Sequence, residues 1–464
     1  MRPSLASLLA LGLLGCTSPS PPAPAPAAPP IEQAAAPLRF IEDDMPGAIA
    51  KARAEHKVVF VDAWAPWCHS CLSMKSFVLG DPSLRPLAGK AVFAAIDADR
   101  PENAAFLEKH PIKALPTFFV IDPDDGHALG YWVGSCSVGE MRSFIEEGVQ
   151  EKAGGDRDPA ARAFAEARAA HAAGKLDEAV EAYTKAVDQS VPGWPSRSAA
   201  ILGLVEALRG KKAWQACADR GMRHMAEIKG AVMPIDATAY LLECAKELPA
   251  SPARTEMIAA ATKRLRALCD APPEGSSVDD RADALDILSD ALDEAGDKAG
   301  AKAAQERRLV LMEEAAKNAR TKEEAQTFDY GRANAYLALG RAPEAIRMLE
   351  EREKEMPGAY EPPARLASVL NRAGRPAEAL PAVERALAHA YGPRRLRYLA
   401  LRAAILHKLG ESGKEVSTLK EEIQGYEALP PGQASPESLA DARRRLAEAE
   451  KIPAPAPPAS APPR

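Results

Sequence analysis

Two rhythms of apolar and polar positions divide this chain. Between residues 38 and 150 short apolar runs alternate with amphipathic stretches. Val58-Val59-Phe60-Val61 is continuous and apolar, the pattern of a strand buried on both faces. Val92 to Ile96 and Thr117 to Ile121 repeat it. The turn-forming run Asp122-Pro123-Asp124-Asp125-Gly126 then leads into a further strand over His127 to Val133. Helices are predicted over 45–56, 69–79, 101–109 and 138–148. Strands and helices in that order define an α/β domain over residues 38–150.

From residue 158 to 451 the pattern is helical throughout, and it repeats. Gly340 is followed five residues on by Ala345, and Gly374 by Ala379, the two pairs standing 34 residues apart. Gly174 with Ala179 and Gly296 with Ala301 keep the offset at looser register. A glycine that ends one helix in a left-handed cap, and a small alanine that lets the next helix approach, predict stacked helix pairs. The segments Gly174-Lys175-Leu176-Asp177-Glu178-Ala179 and Gly374-Arg375-Pro376-Ala377-Glu378-Ala379 resemble the turn of tetratricopeptide repeats. About four such units are recognisable, with two or three degenerate ones. Residues 452–464, rich in Pro and Ala, are predicted to be a disordered tail.

Composition narrows the function. With 59 basic against 65 acidic residues the net charge is −6, which offers no basic surface for nucleic acid. No run of eighteen apolar residues predicts a spanning helix. The N-terminus reads as an export signal over residues 1–15: Arg2, then the apolar stretch Leu5 to Leu14. Leu13-Leu14-Gly15-Cys16 resembles a bacterial lipobox, a family in which the cysteine becomes the lipid-bearing N-terminus. Thr17 to Pro37 contains eight prolines and reads, with Cys16, as an extended tether over 16–37. The resemblance implies a lipid-anchored envelope protein facing the periplasm. Thr17 after the cysteine, in place of Asp, points towards the outer membrane.

The chemistry concentrates in Asp62-Ala63-Trp64-Ala65-Pro66-Trp67-Cys68-His69-Ser70-Cys71. A C-x-x-C alone is open to zinc, redox or chance. Zinc lacks its other two ligands, and Leu72 stands where covalent haem attachment needs His. Redox use remains, because the motif follows a buried strand and opens a helix. The helix start favours a thiolate, which makes Cys68 the expected nucleophile and Cys71 the resolving thiol.

This run resembles thioredoxin-like domains, and most closely the C-terminal periplasmic domain of DsbD-type thiol:disulfide interchange proteins. Asp81-Pro82-Ser83-Leu84 supports the same likeness. The resemblance implies a thiol–disulfide oxidoreductase that needs no metal or organic cofactor. It implies a buried acid at Asp62, serving as proton relay, and a cis-proline at Pro116 after Leu115. It also implies a substrate groove that includes Trp67, His69, Leu115, Pro116 and Gly134. Trp64 reads as a shield for the sulfurs or as core.

Several readings stay open. His69-Ser70 replaces the Gly-Pro of thioredoxins; the imidazole either stabilises a neighbouring thiolate or points to solvent. No lysine partner for Asp62 is evident. Cys136 reads as a buried small hydrophobe or a third redox thiol, and Cys217, Cys244 and Cys269 are core cysteines that could bridge. The redox direction is open, with reduction the leading reading. Protein thiols and disulfides are the expected substrates, with a client or partner on the concave face of the array; alternatively the array packs on the redox domain or dimerises. The competing class is a lipid-anchored repeat scaffold in which the redox domain is secondary.

Overall fold

The computed structural model describes residues 38–154 and 158–451. The signal peptide over 1–15, the lipidated Cys16 with its tether to residue 37, and the tail 452–464 lie outside them.

A five-stranded sheet forms first along the chain: β1 (Phe40–Glu42), β2 (Val58–Trp64), β3 (Ala91–Asp97), β4 (Thr117–Ile121) and β5 (Ala128–Val133). The spatial order is β1-β3-β2-β4-β5, parallel across the first three and antiparallel across the last two. Side chains of β2 alternate between two cores. Val59, Val61 and Ala63 join Phe119 and Ile121 on one face; Val58 and Phe60 join Phe118 and Val120 on the other. Phe60 lies between Phe93 at 5.2 Å and Phe118 at 5.9 Å between ring centroids. Four helices flank the sheet: α1 (Met45–Glu55), α2 (His69–Ser73), α3 (Ala104–Lys109) and α4 (Val138–Ala153). Asp44 caps α1 by accepting from Gly47 N at 2.9 Å, and Ser137 with Glu140 closes a capping box on α4. The predicted helix over 69–79 is composite, since α2 widens into a π-turn over Met74–Val78. Strand β1 has no counterpart among the sequence-predicted strands.

The remainder is helical: α5 (Pro159–Ala172), α6 (Leu176–Gln189), α7 (Arg197–Gly210), α8 (Trp214–His224), α9 (Met233–Lys246), α10 (Pro252–Asp270), α11 (Val278–Glu294) and α12 (Lys298–Asn318) come first. After a short α13 (Lys322–Gln326) follow α14 (Asp329–Ala338), α15 (Ala342–Glu355), α16 (Glu361–Arg372), α17 (Pro376–Leu387), α18 (Gly392–Lys408), α19 (Ser412–Ala428) and α20 (Pro436–Ala449). Consecutive helices pack as pairs in a tetratricopeptide-type array. Its periodic signals have the expected physical basis. Gly340 and Gly374 hold φ of 71° and 75°, and the alanines five residues later are fully buried. Among the described residues no helix is long and apolar enough to cross a membrane.

The array packs on the α/β domain. Tyr131 of β5 packs its ring against His171 of α5, tilted, at 4.8 Å between centroids. Glu140 of α4 accepts from Ala231 N, just before α9, at 3.2 Å. At the far end Gln433 Nε2 donates to the carbonyls of Ala98 and Arg100 at 2.8 and 2.9 Å, and Tyr391 Oη donates to Asp97. Gly392 meets the loop after β3 so closely that a Cβ would lie 1.9 Å from Asp99 O, at a φ of 54°. Packing against the α/β domain, one of the arrangements open from sequence, is present.

Candidate redox site

Strand β2 delivers the chain to Cys68, which is the N-cap of α2. Its sulfur is bonded to Cys71 and accepts from Cys71 N at 3.1 Å, with Ser70 Oγ at 3.6 Å. The sulfur therefore sits where unpaired helix N–H groups favour negative charge. Ala65, Trp64, Trp67 and Leu115 pack around the pair, and Cys68 and Cys71 are only 4% and 2% exposed. The Leu115–Pro116 bond is cis, and Pro116 O accepts from Gly134 N at 2.9 Å.

Asp62 is buried in β2, opposite Ala95 and Phe118. Burial raises its pKa to about 7, Lys75 opposing and Glu42 adding to the shift. Lys75 supplies the cation that had no evident counterpart in the sequence, a correction to that reading. It lies four residues after Cys71, one helical turn on, with its ammonium 4.3 Å from the Trp64 ring centroid. Trp64 is thus sandwiched between the sulfurs and a lysine.

His69 does not point to solvent. Its Nδ1 lies 3.0 Å from Asp279 Oδ2 of α11, and its ring stacks on Tyr330 of α14 at 5.1 Å. Burial opposes the charged ring, but Asp279 and Asp283 outweigh it and raise the pKa to about 9. Asp283 is itself pushed upward by burial, against the pull of His69. One ligand atom each from His69, Asp279 and Asp283 falls within 4.8 Å, a set that could hold a cation. The imidazole–carboxylate bond already accounts for that geometry.

Trp67 is gripped from three sides: its indole N–H donates to Asp99 at 2.6 Å, Arg394 of α18 stacks 4.2 Å above it, and Arg365 of α16 donates to its carbonyl at 3.4 Å. Trp67, Cys68, His69, Ser70 and Leu115 form one wall of a cleft of about 470 Å³, and Tyr330, Arg365, Arg394, Arg397 and Tyr398 form the other. Pro116 and Gly134, expected in the same groove, stand aside from it. Asp236 of α9 lies beside Gly134, its carboxylate 3.4 Å from where a Cβ would be. A larger hollow of about 930 Å³ between α18, α19 and α20 has no cysteine in its lining, and several of its charges pair internally, as Arg445 with Glu422 and His407 with Glu415.

The other cysteines divide cleanly. Cys217 and Cys244 form a second disulfide joining α8 to α9. Cys136 and Cys269 are buried free thiols, both pushed upward chiefly by burial, Cys269 to about 11. Cys136 packs with Met141 and Phe144, outside the cleft, as a small hydrophobe.

A cysteine pair opening a helix beside a cis-proline places this domain among redox folds in which backbone and sulfur chemistry meet at one edge. The model of the Thioredoxin-like domain family matches residues 45–148. A thioredoxin of Chlorobaculum thiosulfatiphilum is 31% identical over 97 residues, 20% of this chain and 81% of that one. The chain belongs to the thioredoxin family through this domain. Protein disulfide-isomerase 1 of Dictyostelium discoideum is 30% identical over 90 residues, 19% of this chain and 24% of that protein. The thiol:disulfide interchange protein DsbD of Photorhabdus laumondii is 29% identical over 69 residues, 14% of this chain and 12% of that protein. The chain thus spans a quarter or less of those two relatives. Among solved structures, a tetratricopeptide repeat protein from Parabacteroides merdae superposes with a TM-score of 0.42 and 14% identity, covering 63% of this chain and 99% of that one.

Proposed function

We propose that this protein is a thiol–disulfide oxidoreductase of the bacterial envelope, tethered by lipid on Cys16, and that Cys68 exchanges electrons with cysteine-containing substrates. The observation that supports it most is the Cys68–Cys71 pair opening onto the cleft, with His69 held as a cation beside the nucleophile.

In the reducing direction the Cys68 thiolate attacks one sulfur of a substrate disulfide. A Cys68–substrate bond forms and the first substrate thiolate leaves. Cys71 then loses its proton and attacks Cys68 Sγ, closing the internal disulfide and expelling the second thiolate. Asp62, with a pKa near neutrality, is the buried group suited to take the Cys71 proton. Oxidation runs the same steps backwards. An imidazolium beside Cys68 stabilises the reduced thiolate form, so it draws the potential away from the strongly reducing end.

The test is a Cys71→Ala variant expressed in the envelope. Recovery in the membrane fraction with substrates disulfide-linked to Cys68 is the expected result. A soluble, unlinked protein that is also inert towards model disulfides would leave the second reading, a helical scaffold with a vestigial redox domain.

A further inference from the structure

One wall of the cleft carries three arginines, none of them in an ion pair among the described residues. Arg365, Arg394 and Arg397 all line it, and no aspartate or glutamate does. Elsewhere in the array arginines meet carboxylates, as Arg352 meets Asp329 at 2.6 Å and Arg445 meets Glu422 at 2.7 Å. These three do not. Among the described residues Arg365 donates only to the carbonyls of Gln326 and Trp67, and Arg394 donates to Tyr398 Oη and stacks on Trp67. Arg397 is exposed and, among the described residues, has no hydrogen-bond or ion-pair partner. Asp99 and Glu361, whose charges act on these arginines, stand outside the lining, as does Asp279, which pairs with His69. Burial raises the pKa values of Asp99 and Glu361, Asp99 to about 6, despite the bond from Trp67 and the neighbouring arginines.

Access is the second observation. The surfaces on which a folded client would rest are covered: Trp67 by Arg394 and Arg365, His69 by Asp279 and Tyr330, Gly134 by Asp236. With Cys68 only 4% exposed, a convex protein surface cannot bring its sulfur to the nucleophile, whereas a cleft of about 470 Å³ admits a small or extended molecule.

We propose that the array selects the substrate: a thiol or disulfide whose sulfur is flanked by carboxylates, on a low-molecular-weight carrier of the glutathione or cystine type or on an unfolded acidic peptide. The arginines bind the carboxylate while Cys68 attacks the sulfur. Two electrons pass from the Cys68/Cys71 dithiol to the substrate disulfide, whose two thiolates take up the two protons released. The proposal rests on the redox reading above and specifies its substrate.

The experiment mixes the full-length, reduced protein with three small disulfides and follows Trp67 fluorescence: oxidised glutathione (anionic), bis(2-hydroxyethyl) disulfide (neutral) and cystamine (cationic). Each rate is divided by that of free dithiothreitol with the same reagent, which removes intrinsic reactivity. The expected order is anionic over neutral over cationic, with about tenfold between the extremes, narrowing as salt is raised. Arg397→Glu, at an exposed position, should collapse or invert that ratio, and Arg365→Gln with Arg397→Gln should flatten it. A ratio near one in the wild type, or one unchanged by Arg397→Glu, overturns the proposal and leaves the oxidoreductase intact. Failure to react with all three, the neutral reagent included, defeats the redox reading and this proposal together. A mixed disulfide of an unfolded acidic peptide, run alongside, separates the two carriers: whichever reacts faster is the source.

Discussion

Among the described residues are two disulfides of the same bond type, and their settings could hardly differ more. Cys68–Cys71 closes three residues at a helix start, beside a cationic histidine, a buried carboxylate and an open cleft. Cys217–Cys244 spans 27 residues between two helices, both sulfurs fully buried among Ala218, Leu241 and Leu242. The first has neighbours that can move charge and a route for a substrate; the second has neither. Reactivity in a disulfide is thus a property of its surroundings, and each surrounding group offers a way to break the contrast.

The largest effect is expected at Asp62. Its folded pKa, about 7, lies above the ordinary 3.8 because burial penalises the charge. Between those values the folded protein binds a proton that the unfolded chain releases, so stability is full below pH 4 and falls as pH rises through 7. Asp62→Asn removes that slope. At pH 8 the variant should be more stable by up to about 4 kcal/mol, three pKa units at 1.36 kcal/mol each, with no difference at pH 3.5. Exchange should slow about 10²-fold. Denaturant melts at the two pH values decide it, and parallel curves would mean the carboxylate is not perturbed.

Cys217→Ala with Cys244→Ala should lower stability by about 3.5 kcal/mol, from the freedom returned to a 27-residue loop, while small-disulfide exchange proceeds as before. Loss of exchange with stability preserved would reverse the roles assigned to the two bonds.

The smallest change is expected at Asp279. Without its carboxylate the buried imidazole of His69 favours the neutral form, so the thiolate of Cys68 loses a neighbouring cation. The midpoint of Cys68 alkylation against pH should move up by roughly half a unit to one unit in Asp279→Asn. An unshifted midpoint would show that the array grips His69 without tuning the sulfur.

How much of this was legible in the sequence follows the range of the interactions. Strands β2, β3 and β4 announce themselves because burial on both faces demands unbroken apolar runs. Strand β1, three residues with an intermediate burial pattern, exists only because β3 offers an edge. Lys75 was within reach: its spacing of four from Cys71 puts both on one helix face, although proximity to Asp62 required the fold. Asp279 stands 210 residues from His69 and Arg365 stands 298 from Trp67, and no local pattern encodes such pairings. The glycine–alanine period exposed the array but not the face it turns to the redox domain, nor which of its cysteines pair. That face changed the picture most, because it covers the surroundings of the sulfur pair.

The chain order of that cover has its own consequence. During synthesis Cys68 and Cys71 emerge first, whereas Arg365, Arg394 and Gln433, which roof or brace their surroundings, arrive some three hundred residues later. Until those last helices dock, Trp67 lacks its arginine cover, although Asp236, Asp279 and Tyr330 already stand beside Gly134 and His69. On the proposed reading, a chain cut short before α16 would keep the sulfur pair and lose the three arginines, and with them the preference for carboxylate-bearing disulfides.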